Sequence, residues 1–175
     1  MATQPTATAL LDAPELPRAN TPREQGQERF PPERFVTVPD VPVWAEHTTT
    51  LPDGRTVHFG RRELEQIIAR CNRRIQETGD YATVTIGHTS PDPSAPQPPV
   101  VGFAGPFRLG VMGDPPRYVV LADMHLYREH ADVLRRYPRR SPELWIAPDP
   151  QEMFLDPIAL LGGETPRLDA AADVH

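Results

Sequence analysis

Two residues of this 175-residue sequence stand where a side chain could do chemistry. His88 follows the β-prone run Tyr81–Ile86, behind Gly87 and ahead of a loop holding Pro91, Pro93, Pro96, Pro98 and Pro99. Strand ends that open into loops are where function concentrates. An imidazole at such a place could serve as a general base. Ser141 follows Arg139 and Arg140 and enters an apolar run through Leu144, Trp145 and Ile146. A serine hydroxyl beside positive charge could be a nucleophile whose oxyanion is met by backbone N–H groups or a guanidinium. Taken singly, each residue is explained as well by ordinary structure. His88 fits a histidine satisfied by turn hydrogen bonds, and Ser141 fits a turn serine before Pro142.

The composition removes other chemistries. Every one of the 18 basic residues is Arg. Without an ammonium group there is no Schiff-base lysine, no Ser–Lys dyad and no G-x-x-x-x-G-K-[ST] phosphate loop. The single Cys71 excludes an internal disulfide and a cysteine-cluster zinc site, and its apolar helical position predicts an inert core thiol. Asp123, His125, His130 and Asp132 fall within ten residues but match no strong zinc spacing. Charged residues on a solvated strand face explain them equally. No cofactor is implied. The net charge of −6 gives no general attraction to nucleic acid or anionic membrane, despite the basic patch of Arg135, Arg136, Arg139 and Arg140 beside Tyr137. No apolar run reaches the roughly 20 residues of a membrane span, and Met1–Leu11 lacks the pattern of a secretory signal. The expectation is a soluble intracellular chain without nucleic-acid or membrane partners.

The elements that must position these residues follow from periodicity and from the 23 prolines. Residues 1–32 show no sustained period and read as a disordered N-terminal arm. The folded domain is expected over 33–167, and 168–175 reads as a flexible tail. Arg34–Val38 and Val43–Glu46 are short β-like runs split by Pro39 and Pro42, which belong at a sheet edge. Asp53-Gly54 joins Thr48–Leu51 to Arg55–Phe59 as a hairpin. Leu64, Ile67, Ile68, Cys71 and Ile75 form one apolar stripe and predict a helix over Arg61–Thr78, stopped by Gly79. Strands are expected at Tyr81–Ile86, Val100–Leu109, Arg117–Leu126 and Phe154–Leu161. A short helix is expected over Tyr127–Tyr137, followed by a loop entering a strand through Arg139–Ile146. Ser90–Pro99 is too rich in proline to join a ladder and reads as a stiff loop walling a substrate groove. Short strands, two helices and no βαβ rhythm predict an α+β fold around a mostly antiparallel, barrel-like sheet.

The order of the segments carries a resemblance. A helix precedes the strand V-T-I-G-H88-T. A G-F-A-G-P-F strand, V-V-L-A-D-M, a short helix, Y-P-R-R-S141-P-E-L and F-L-D-P-I-A-L-L-G-G-E-T-P follow. This ordered set, over Phe35–Pro166, resembles the prohead (capsid maturation) proteases of tailed bacteriophages, especially the Mu-like type. The resemblance implies an assemblin-like fold, a β-barrel ringed by helices, and a serine endopeptidase that processes phage scaffold and capsid proteins as the procapsid matures. Its substrates would be the scaffold and the major capsid protein. It would act in the host cytoplasm, inside the immature shell, and a homodimer is possible. Ser141 then aligns with the nucleophile and His88 with the general base. Asp156 is chosen as the third catalytic residue because related proteases carry an acid at the start of the last strand. Asp123 and Glu143 remain alternatives. Arg139 and Arg140 resemble the arginines near the oxyanion site. Two other readings stand beside this one: a catalytically inactive assembly protein of the same barrel superfamily, and a metal-dependent hydrolase using Asp123, His125 and His130.

Overall fold

The computed structural model describes residues 29–51, 53–145 and 152–162. Its strands run in the order β1 (Phe35–Ala45), β2 (His47–Thr50), β3 (Thr56–Phe59), β4 (Ala82–Ile86), β5 (Val100–Met112), β6 (Arg117–Tyr127), β7 (Arg139–Trp145) and β8 (Phe154–Leu161). Helix α1 (Arg61–Thr78) sits between β3 and β4, and the four-residue α2 (Val133–Arg136) lies between β6 and β7. Six strands form one sheet in the spatial order β1-β6-β5-β4-β8-β7, and β2 and β3 form a separate hairpin. Every pairing is antiparallel except β4 with β8. The α+β class and the mostly antiparallel sheet are as expected. The sheet is not closed into a barrel: β1 and β7 are its two edges, and no ladder joins them.

The helix forms where its apolar stripe predicts. Leu64, Ile67 and Cys71 are buried, and the chain leaves through Gly79 at φ 73°, a left-handed position that glycine occupies without a Cβ clash. Two contacts fix α1 on the sheet. The Leu155 N–H donates to Cys71 Sγ at 3.3 Å. Asn72 donates through Nδ2 to the Phe107 carbonyl and accepts from the Phe107 N–H, both at 2.8 Å. That second clamp closes the irregularity of β5 between Ala104 and Phe107, where ladder groups would otherwise lack partners. Gly105 sits inside this irregularity at φ 136°, and a Cβ there would lie 2.5 Å from Ile75 Cδ1.

Several boundaries differ from the expectation, each for a physical reason. The two proline-split runs near the start are one edge strand, β1, with irregularities between Val38 and Val41 and between Pro42 and Trp44. The edge has no outer ladder to lose, so prolines cost it little. The expected helix over Tyr127–Tyr137 breaks into a 3-10 turn at Arg128–His130 and α2. Ser141 lies inside β7, not at a loop–strand junction, because the strand already begins at Arg139. The expected arm ends too late. Phe30 is only 5% exposed and stacks on His125 with centroids 4.0 Å apart, edge-on to Phe35 and Tyr81. The aromatic payload of Phe30 is thus part of the folded body. Residues 1–28 of the expected arm and the tail at 168–175 lie outside the described residues. Among the described residues no helix is long and apolar enough to cross a membrane.

Two outcomes are expected. Phe30→Ala leaves a hole beside His125 and should lower unfolding stability by about 3 kcal/mol in a urea titration. Burial pushes the Cys71 thiol from its ordinary 9.0 up to about 11. Native protein should therefore resist alkylation by iodoacetamide at pH 8 and react fully in denaturant. The folded thiol keeps its proton where the unfolded one has lost it. Stability should accordingly fall as pH rises from 9.0 through about 11.

Candidate active site

The site is assembled around β8, which pairs with β4 on one side and β7 on the other. Thr85, Ala159 and Ser141 are direct partners across these three strands and so share one face. Ile86, Leu160 and Arg140 form the next row and share the other. Ser141 is fully buried. Arg139, two residues earlier, is on the face of Ser141, while the Arg140 side chain is on the opposite one.

His88 reaches this face through a turn. The Gly87 N–H donates to the Leu160 carbonyl at 3.0 Å, the last bond of the β4–β8 ladder. Gly87 then takes φ 90°, and its carbonyl is held by the Thr85 hydroxyl at 2.9 Å. No atom lies within 4 Å of the place a Cβ would occupy at Gly87, so backbone conformation, not space, calls for glycine here. The turn delivers His88 and Thr89 to Glu143. His88 Nδ1 lies 3.1 Å from Glu143 Oε1. The Thr89 N–H donates to the same oxygen at 2.8 Å, and the Thr89 hydroxyl donates to Oε2. Glu143 stands two residues beyond Ser141, at the β7 irregularity between Pro142 and Leu144.

An ionised carboxylate only accepts. Against an ionised Glu143, His88 donates from Nδ1, and in the neutral ring this makes Nε2 the acceptor. His88 Nε2, Ser141 Oγ and Arg140 Nε are all buried without a hydrogen-bond partner among the described residues. Ser141 Oγ and His88 Nε2 are thus not bonded to one another in this form. A base with its tautomer set, a hydroxyl on the same strand as the orienting acid, and both reactive atoms unengaged are the parts of a nucleophile–base–orienter set.

The other proposed site residues are placed elsewhere. Asp156 does not meet His88. Because β8 runs parallel to β4, Asp156 lies beside Thr83 at the start of β4. It accepts from the Thr83 N–H and hydroxyl, each at 2.9 Å, with Arg74 at 3.9 Å. The acid that orients the imidazole is Glu143, one of the open alternatives. Asp123 is 2.7 Å from Arg108, which also pairs with Asp40. His125 donates from Nε2 to the Gly105 carbonyl and accepts at Nδ1 from the Thr37 hydroxyl, both at 2.9 Å. Burial lowers its pKa, partly opposed by Gly105 and Asp123. With both ring nitrogens committed, His125 is no metal ligand, and the described residues contain no cluster able to hold an ion. Thr89 is the contributor that sequence reasoning missed. Its place beside His88 at a strand end was the available signal. A separate apolar cleft of about 140 Å³, lined by Leu51, Val57, Phe59, Ile67, Leu144 and Met153, is bordered by none of these residues.

Comparison with protein-family models, with curated proteins and with solved structures gives no match.

Replacing Glu143 by Ala should release the ring. In ¹⁵N spectra at a pH where His88 is neutral, the wild-type signals should report the Nδ1–H tautomer, and Glu143→Ala a mixture dominated by Nε2–H. An unchanged spectrum would show that Glu143 does not set the tautomer.

Proposed function

We propose that the protein is a serine endopeptidase with Ser141 as nucleophile, His88 as general base and Glu143 as the residue that positions the imidazole. The observation that carries this reading is Glu143, on the strand of Ser141, holding His88 from the turn after β4, with Oγ and Nε2 both buried and without a partner among the described residues. His88 Nε2 takes the proton from Ser141 Oγ as it attacks the peptide carbonyl, then returns it to the leaving amine. Glu143 stabilises the imidazolium formed between the two steps. Arg139, on the face of Ser141, is the residue we assign to the oxyanion side of the site.

The biological setting rests on the sequence resemblance to Mu-like prohead proteases. On that reading the substrates are phage scaffold and major capsid protein, cut inside the immature shell in the host cytoplasm. The same resemblance suggests the assemblin-like barrel, a description supported by a six-stranded sheet whose two edge strands approach one another. A second reading has its own observation. Ser141 is fully buried and not bonded to His88, as expected of an inactive assembly protein on the same scaffold. Under the first reading this is the resting state, and substrate binding brings Oγ to Nε2, as apo sites commonly require.

Co-expression with the scaffold and capsid proteins separates the two. Ser141→Ala and His88→Ala should each lower cleavage by about 10³-fold or more with an unchanged circular dichroism spectrum. Glu143→Gln should cost about 10²-fold or more, chiefly in kcat. Cleavage retained in Ser141→Ala would sink the mechanism, and no cleavage by the wild-type protein would favour the assembly reading.

A further inference from the structure

Most partly buried arginines of this chain have their charge met. Arg70 pairs with Glu152 at 2.6 Å, Arg74 faces Asp156 at 3.9 Å, and Arg108 bonds Asp123 at 2.7 Å. Burial lowers the Arg108 pKa, but Asp123 and Asp40 more than reverse this, and the net shift is upward. Arg140 differs. It forms no ion pair among the described residues, and desolvation alone acts on it, moving its pKa downward. A guanidinium does not shed its proton at physiological pH, so the uncompensated charge has to be borne by the fold. Nη1 donates to the Pro138 carbonyl, a bond within β7's own approach that leaves the charge unmet. Nε is buried and has no hydrogen-bond partner among the described residues. The unmet donor, Nε–H, belongs to the Nε/Nη2 edge, whose parallel N–H bonds match a carboxylate bidentately.

The place of this edge is informative. β7 is the last strand of the sheet, and among the described residues no ladder occupies its outer side, although β1 comes near part of it. A peptide extended along such an edge sends successive side chains to opposite faces. With the scissile residue on the face of Ser141, the neighbouring side chain points to the face that holds Arg140. We propose that Arg140 is a specificity residue that receives the carboxylate of an acidic side chain next to the cleaved bond. This rests on the reading of Ser141 as nucleophile. It also separates the two arginines: Arg139 serves the face of the reaction, and Arg140 serves recognition behind it.

The test uses the full chain and a proteome-derived peptide mixture, with Ser141-dependent products identified by mass spectrometry. Wild-type cuts should be enriched in Asp or Glu at one fixed position beside the scissile bond. Arg140→Gln should reduce that enrichment at least tenfold relative to total cleavage. Arg140→Lys, which keeps the charge and loses the planar fork, should fall between them, and it carries the comparison if Arg140→Gln does not fold. Absence of acidic enrichment in the wild type, or enrichment intact in Arg140→Gln, overturns the proposal. If no cleavage depends on Ser141, the protease reading fails and the anion site is judged by binding. Calorimetric titration then compares acetylated tetraglutamate with acetylated tetraglutamine. An Arg140-dependent preference for tetraglutamate upholds a carboxylate site, and equal or absent binding removes it.

Discussion

The double pairing of β8 is the constraint on which the site depends. One strand is held parallel to β4 and antiparallel to β7, so two segments 53 residues apart in sequence become neighbours but one in the sheet. The Leu160 carbonyl ends one ladder at Gly87, and Ala159 pins Ser141 in the other. A one-residue slip of β7 against β8 would move Ser141 to the opposite face and bring Arg140 into its place. The register of β7 on β8 therefore holds the polar geometry of the site.

Charge is distributed by the same scaffold. With arginine as the only permanently cationic side chain, the guanidinium–carboxylate pairs inside the fold occur where strands bring acid to base from far away. Asp123 meets Arg108 across β5 and β6, and Asp40 joins them from β1 at a residue with φ 56°. Arg74 reaches from α1 to Asp156 and lies 3.8 Å from the Phe154 ring centroid. These pairs consume two of the acids that sequence position alone made candidates for the third catalytic role. Glu143 is left to His88, with Thr89 bracing the carboxylate from the other side.

Much of the scaffold was legible because its signals are local. The apolar stripe of α1 and its glycine stop, the hairpin turn at Asp53-Gly54 and the run Phe154–Leu161 need only their own residues to be read. The start of β7 at Arg139 was not legible, since pairing with β8 overrides weak local preference there. Phe30 was hidden for a related reason. A lone aromatic in a proline-rich stretch has no period, and its partners Phe35, Tyr81 and His125 come from three other segments.

The chemistry divides in the same way. Sequence alone determined which residue types were present: no lysine, one cysteine, a histidine at a glycine-turned strand end and a serine behind two arginines. These exclusions and placements are properties of composition and short range. Which carboxylate meets His88 was a matter for tertiary structure. Asp156, Asp123 and Glu143 are equivalent as side chains and differ only in what the sheet brings beside them. Parallel pairing hands Asp156 to Thr83, a cross-strand guanidinium takes Asp123, and the turn at Gly87 carries His88 and Thr89 to Glu143. Strand order and register make those choices, because they set distances that no spacing along the chain contains.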